Sequence, residues 1–260
     1  MEEQIARSFP ERDEVWVRRT TWRCFEHVGQ EALALAPLLR RGLVEVRSRI
    51  ERFDGLDELR RALAEGHGVV IVSGHFGNWE LAGSTLPAFG FAADAVMQKL
   101  KNPRLTSLIR ETRTRLGMGL INRVDAWEPM MDSLARGRVV AFVADQDARH
   151  RGVFVPFFGR PASTHRSPAL LALRARAPFF VGGVMRVEGG RYRAWAVRLE
   201  PRANLSIRRQ VEDLTREWTT ELERRVRLYP EQYFWHHKRW KTTPPGTASA
   251  ESGMMSRASV

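Results

Sequence analysis

The residue of this chain best placed to do chemistry is His75, in the segment Val69 to Leu81, VVIVSGHFGNWEL. It follows a short apolar run that can hold it rigidly. Gly74 and Gly77 beside it have no side chains to keep backbone and substrate apart. Glu80 comes five positions later, one turn into the next expected helix. A strand-to-helix turn can bring a carboxylate so spaced against an imidazole, which is what a general base that deprotonates an alcohol requires. The helix beginning near Asn78 also turns free N–H groups toward any anion in front of it. A second acidic group, Asp145-Gln146-Asp147, follows another apolar run, RVVAFVA. Two carboxylates therefore compete to orient His75: Glu80 by local spacing, and Asp147 by its place at a neighbouring strand end. Glu80 is favoured. Asp145 is expected to shape the turn or to hold a nearby arginine.

The elements that must position these residues follow from periodicity. The first ~65 residues read as helical, with apolar residues at mixed spacings of three and four and no strand-like alternation. Their most apolar stretch, Glu31 to Val46, suits core cover or a bilayer surface, with core cover favoured, and Pro37 should bend or interrupt it. From Gly68 onward, short apolar runs alternate with helical segments, the mark of a largely parallel sheet with crossover helices. Strands are expected at Gly68 to Ser73, Ala92 to Met97, Leu120 to Asn122, Arg138 to Ala144, Phe179 to Met185 and Tyr192 to Leu199. Helices are expected from Asn78 to Ala88, after the Asn102-Pro103 cap, from Trp127 to Leu134, from Ser167 to Ala175, and from Ser206 to Pro230. The predicted organisation is an N-terminal helical segment, 1–66, packing on an α/β domain, 67–241, with a disordered tail, 242–260. There is no repeat.

Composition narrows the function classes. The 260 residues include 42 Lys and Arg against 30 Asp and Glu, a formal charge of +12. That favours anionic partners: nucleic acid, phospholipid headgroups or an acidic carrier protein. No zinc-finger spacing, RNA-binding aromatic block or helix-turn-helix signal supports nucleic acid. No apolar run reaches the ~20 residues of a membrane-crossing helix, so peripheral attachment is the membrane mode left open. The single Cys24 is read as an inert core thiol. Serine, cysteine and zinc mechanisms lack their usual GxSxG, Cys–His and HExxH signatures, and no metal or cofactor is expected. Basic residues gather after the histidine block, at Lys99, Lys101, Arg104, Arg110, Arg113, Arg115 and Arg123, and again at Arg149, Arg151, Arg160 and Arg166. Of these, Arg123 and Arg166 are the expected phosphate ligands, while Arg110 and Arg113 read more as a solvated helix face. Phe154, Pro156, Phe157 and Phe158 make an aromatic turn before Gly159, suited to an acyl-channel wall or a bilayer contact, with core packing an equal competitor. His165, His236 and His237 read as surface or structural residues.

The blocks that carry these residues resemble the late acyltransferases of lipid A biosynthesis, within the wider H-x4-D/E lysophospholipid acyltransferases. GHFGNWELAG looks like the family's catalytic block, and Lys101-Asn102-Pro103 through Asn122-Arg123 like its basic segment. VVAFVADQD and VFVPFFGRPASTHRSPALLALRARAP are similar to the third and fourth blocks, and PEQYFWHHKRWKT to the closing one. Ser8-Phe9-Pro10-Glu11 fits the amino-terminal region, so the resemblance runs in order over roughly residues 8 to 241.

What the resemblance implies is a glycerolipid acyltransferase-like fold in which His75 deprotonates a sugar-linked or fatty-acyl hydroxyl. That oxygen then attacks an acyl thioester, with no acyl-enzyme. The implied catalytic set is His75, Glu80 and Asp147, with substrate contacts from Gly74, Gly77, Asn78, Arg123, Asp145, Gln146, Phe158 and Arg166. The donor would be an acyl carrier protein or acyl-CoA, and the acceptor a phosphorylated glycolipid, with a lipid A precursor favoured over a phosphatidylinositol mannoside or another lysophospholipid. The implied place is the cytoplasmic face of the bacterial inner membrane, peripheral or monotopic, since the upstream anchor of many members is not in this sequence. The rival readings are a basic, non-enzymatic membrane-surface protein and a thioesterase that transfers to water.

Overall fold

A computed structural model describes residues 1–98 and 101–245. Its organising element is a sheet of seven strands: β1 (Ile50–Asp54), β2 (Val69–Ser73), β3 (Ala93–Met97), β4 (Met118–Asn122), β5 (Val139–Val143), β8 (Phe179–Arg186) and β9 (Tyr192–Leu199), in the order β1-β9-β8-β2-β5-β3-β4. Strands β4, β3, β5, β2 and β8 run parallel, and β9 turns back antiparallel to β8 through the Glu188–Gly190 turn. Valines and isoleucine fill β2, buried on both faces, as a central parallel strand between two helical layers must be. One layer holds α4 (Leu56–Leu63) and α5 (Trp79–Ala88), whose Leu59 and Leu86 share a core with Ile71 and Phe180. On the other face lie α7 (Trp127–Ala135), α8 (Ser167–Ala175) and α9 (Ile207–Leu228), where Met130, Leu171 and Trp218 meet Val70, Val140 and Val181.

The largely parallel α/β sheet agrees with the sequence expectation, and each strand expected from Gly68 onward is present. Asn102 caps α6 (Pro103–Arg115), accepting from the amides of Arg104 and Leu105.

Two regions differ. The amino-terminal segment is helical in α1 (Glu2–Ser8), α2 (Glu14–Arg41) and α3 (Leu43–Arg49), but it also supplies β1, which joins the sheet edge parallel to β9. The sequence IERFD carries three charges in five residues and hides no alternation of a buried face, because an edge strand needs only one neighbour. Pro37 does not interrupt α2, which runs on to Arg41 and stops at Gly42, φ +64. The aromatic turn is a hairpin of β6 (Val153–Phe157) and β7 (Arg160–Thr164), with Phe158 and Gly159 both at positive φ in a two-residue loop. The tail expected to be disordered lies outside the described residues from position 246 on.

Helix α2 is fastened to the sheet by polar contacts. Glu31 is buried and accepts from Asn78 Nδ2 (2.5 Å), Arg186 Nε (2.5 Å) and Tyr192 OH (2.8 Å). Three donors satisfy a carboxylate that would otherwise be costly to bury. His27, one turn earlier, reaches Gly77 O through Nε2 at 3.3 Å. Helix α2 therefore grips the loop that follows β2 from outside. Cys24, buried beside it, has its thiol pushed up to about 12 by burial and by Glu231, which keeps it un-ionised.

Candidate active site

Strands β2 and β5 are parallel neighbours in strict register, Ser73 opposite Val143. His75 and Asp145 each lie two residues beyond that pair. The Ala144 amide donating to Ser73 O (3.0 Å) keeps the two chains together past the strand ends. The result is a hydrogen bond between His75 Nδ1 and Asp145 Oδ1 of 2.6 Å. An ionised carboxylate only accepts, so Nδ1 carries the proton and Nε2 keeps its lone pair.

Burial disfavours the imidazolium, but the Asp145 charge and hydrogen bond outweigh it, and the His75 pKa is raised above its ordinary value. Asp145 itself is buried, which opposes ionisation. The adjacent His75 and the more distant Arg239 nevertheless hold its carboxyl down at about 2. Tyr233, also buried, stands beside the same carboxylate, and burial and the Asp145 charge push its phenol well above its ordinary value.

The carboxylate that orients the imidazole is thus Asp145, not Glu80 or Asp147. Glu80 points from the first turn of α5 toward α6, where Arg113 grips it with both Nε (3.0 Å) and Nη2 (2.8 Å). It stays near enough to His75 to favour the imidazolium by charge alone. Asp147 turns the other way: its Oδ2 accepts from Thr242 Oγ1 (2.8 Å), and its amide donates to His237 Nε2 (2.8 Å).

The loop after His75 is braced on all sides. Gly77 at φ +58 donates to Gln232 O (2.9 Å), and a Cβ there would lie 1.8 Å from Val184 O. Glycine is required by the packing of this loop on β8 rather than by substrate approach. A Cβ at Gly74 would likewise meet Leu222 at 2.6 Å and Asp145 Cγ at 3.2 Å. Asn78 caps α5 through Leu81 N (2.8 Å), so its oxygen is spent on the helix and its amide on Glu31. The closing segment crosses in front, where Phe234 N donates to His75 O (2.9 Å) and Tyr233 bridges Phe76.

His75 stands on the wall of a 1210 Å³ cavity, larger than the roughly 300–1,000 Å³ of an ordinary small-ligand site. The cavity has two chemistries. Near His75 it is lined by Lys101, Arg113, Arg123, Arg151 and Arg166, with Gln146 and His165. Beneath α5, along the sheet face, small residues leave the space: Ala95 of β3, Ala141 of β5, Gly182 of β8, Ala194 of β9 and Gly83 of α5 itself. Phe53, Ile71, Leu86 and Met118 complete an apolar wall.

Of the residues expected to touch substrate, Arg123, Gln146 and Arg166 line this cavity, whereas Gly74, Gly77, Asn78 and Asp145 stand behind its wall. Phe158 is elsewhere. It packs in the core against Phe9 and Trp235, and its amide donates to Glu223 Oε2 (2.5 Å), so Phe157 and Phe158 are core packing, while Phe154 is half-buried and Pro156 exposed. Arg113, expected to be solvated, is an ion-paired cavity residue, while Arg110 and Arg104 are exposed. Lys99 lies outside the described residues. His165 is held down at about 4 by burial and by Arg123 and Arg239, so it meets the cavity as a neutral ring. Glu31 carries no motif, and Tyr233, though it lies within the closing block PEQYFWHHKRWKT, is not marked there as a neighbour of Asp145; their roles exist only once the chain is folded.

Comparison with known proteins gives this geometry a context. The profile of a family described as bacterial lipid A biosynthesis acyltransferase matches residues 2–242. The palmitoleoyltransferase of lipid A biosynthesis from Escherichia coli K12 is 28% identical over 267 residues, 94% of this chain and 84% of that protein. The lauroyltransferase of the same organism is 27% identical over 257 residues, 93% and 78% respectively. A phosphatidylinositol mannoside acyltransferase of Mycobacterium tuberculosis H37Rv is 34% identical over 127 residues, 47% of this chain and 40% of that protein. The match thus spans less than half of the mannoside enzyme but most of each lipid A enzyme.

Proposed function

The chain belongs to the bacterial lipid A biosynthesis acyltransferase family, and from that premise we propose that it moves a fatty acyl chain from a thioester to a hydroxyl of a phosphorylated glycolipid. The observation that carries the reading is the His75–Asp145 pair standing where a basic mouth meets an apolar chamber. His75 Nε2 takes the proton of the acceptor hydroxyl as its oxygen attacks the thioester carbonyl. The imidazolium that forms is stabilised by Asp145, already ionised. Collapse of the tetrahedral intermediate breaks the C–S bond, and the proton on Nε2 passes to the departing thiolate, so His75 ends neutral.

Lys101, Arg123 and Arg166 bind the acceptor phosphates as charge-assisted donors. The chamber beneath α5 receives the acyl chain, each buried methylene contributing about 0.8 kcal/mol. The donor is an acyl carrier protein or coenzyme A thioester, and the acceptor is a lipid A precursor. The protein works at the cytoplasmic face of the inner membrane as a peripheral or monotopic protein; among the described residues no helix is long and apolar enough to cross a membrane.

The resemblance to a mannoside acyltransferase supports a second acceptor, a mannosylated inositol phospholipid. One experiment separates these readings: purified protein with acyl-carrier thioester and each acceptor in turn, read as acylated lipid by mass. Acylated lipid A precursor is expected. Product with the mannoside alone would replace the acceptor, and thioester consumed equally without any lipid would make the protein a thioesterase.

A further inference from the structure

Helix α2 carries large apolar residues on both of its faces, more than its own core can use. Toward the core it buries Val17, Cys24, Ala34 and Leu38 together with Thr20, Thr21, His27 and Glu31. Away from it stand Val15, Trp22 and Leu33, which are 63%, 69% and 79% exposed. These three are seven and eleven residues apart, two and three helical turns, so they form one line about 27 Å long. Arg18, Arg19 and Arg23 lie exposed beside that line; of the exposed acids, Glu14 begins the helix and Glu26 stands on the line itself, between Trp22 and Leu33. An outward apolar ridge with Trp on it and arginines at its flank has the composition of an interfacial helix.

The ridge is continuous with the active site. Trp22 meets Phe25 (6.4 Å between ring centroids), Phe25 meets His236 (5.1 Å), His236 meets Phe234 (4.9 Å) and Phe234 meets His75 (6.0 Å). A run of rings, exposed at Trp22, Phe25 and His236 and half-buried at Phe234, thus leads from the helix to the imidazole.

We propose that the outward face of α2 lies in the interfacial layer of an anionic lipid bilayer, Trp22 and Leu33 inserted among the acyl chains and the arginines on the headgroups. The flanking arginines and the chain's charge of +12 fit anionic lipid rather than a second copy of the same basic surface. The surface follows from the helix alone; that it delivers a lipid acceptor to His75 rests on the acyl-transfer reading.

The test uses the full chain, its Trp22→Glu/Leu33→Glu double variant and, as a control, Ile207→Glu, a 48% exposed apolar residue at the start of α9. Co-sedimentation is measured with vesicles of phosphatidylethanolamine and phosphatidylglycerol, and acyl transfer with a short-chain acceptor dispersed in detergent. The double variant should lose vesicle affinity at least about tenfold, keep transfer to the dispersed acceptor within about twofold, and remain folded by circular dichroism, while Ile207→Glu binds as wild type. Undiminished vesicle binding by the double variant would overturn the inference. So would a wild-type protein that ignores vesicles and instead forms a dimer that the double variant dissolves. Vesicle binding lost as expected in a protein that transfers no acyl group to any acceptor would support the surface and sink the function.

Discussion

Replacing Asp145 by asparagine separates the orienting role assigned to this residue from the charge near Glu80. The isostere keeps the volume of a fully enclosed side chain, but not its chemistry. Asp145 accepts a hydrogen bond from His75 Nδ1, and the His75 backbone amide and Tyr233 stand beside the same carboxylate. An amide that keeps its oxygen toward the His75 amide and Tyr233 turns its NH₂ on Nδ1. That forces the proton onto Nε2, which can then no longer act as base. The opposite orientation preserves the tautomer but sets donor against donor. Either way kcat should fall about a thousandfold, or ~4 kcal/mol of barrier at 1.36 kcal/mol per decade, while KM stays within about threefold.

A pH profile adds a second readout. The base works only when neutral, so activity rises with pH through the raised pKa of His75. Removing the carboxylate that raises it moves the ascending limb to lower pH. Stability changes in the same logic: a carboxyl held at about 2 contributes above its ordinary value and loses that contribution as pH falls toward 2. Asp145→Asn should therefore flatten the acid side of the stability curve and cost about 1–3 kcal/mol in urea unfolding at neutral pH. A variant keeping more than a third of wild-type kcat, or a Glu80→Gln enzyme that falls as far, would refute the assignment.

Two further outcomes test the cavity. Arg123→Ala and Arg166→Ala should each raise KM for a phosphorylated acceptor about tenfold or more, from the loss of a charged hydrogen bond worth about 1.5–3 kcal/mol. kcat should hold, and neither variant should differ from wild type on a dephosphorylated acceptor; steady-state kinetics on the two acceptors reads both. A Cβ at Gly83 would find only Met118 Cε, 4.0 Å away, so Gly83→Leu should fold and fill part of the chamber. Each methylene of the acyl chain displaced should cost about 0.8 kcal/mol, close to fourfold in kcat/KM. A competition among thioesters of different length should shift to shorter chains, and an unchanged length profile would place the acyl chain elsewhere.

The sheet was legible because its central strands are continuous apolar runs and its helices carry their own stop signals, such as Asn102-Pro103 and Pro230. Edge strand β1 was not, since pairing on one side leaves no pattern in IERFD. The place of His75 was legible for the same reason as its strand: the histidine follows VVIVS between glycines. Its partner was not. Both His75 and Asp145 were placed at strand ends from the sequence, but which strands are neighbours, and in what register, is set by long-range packing. Without that, a helical spacing of five made Glu80 the nearer choice, whereas the first turn of α5 aims it at Arg113 on a helix that the spacing does not see. Phe158 misled in a similar way: an aromatic turn reads alike whether its rings meet substrate or, as here, Phe9 and Trp235.

The most direct measurement is single-turnover acyl transfer from carrier-protein thioester to lipid A precursor by wild type and His75→Ala, read by mass and paired with the thermal midpoint of each protein. A folded His75→Ala enzyme should lose at least about a hundredfold in rate at saturating acceptor, the low end of what a positioned base supplies. A His75→Ala enzyme that transfers acyl groups at the wild-type rate would contradict the account.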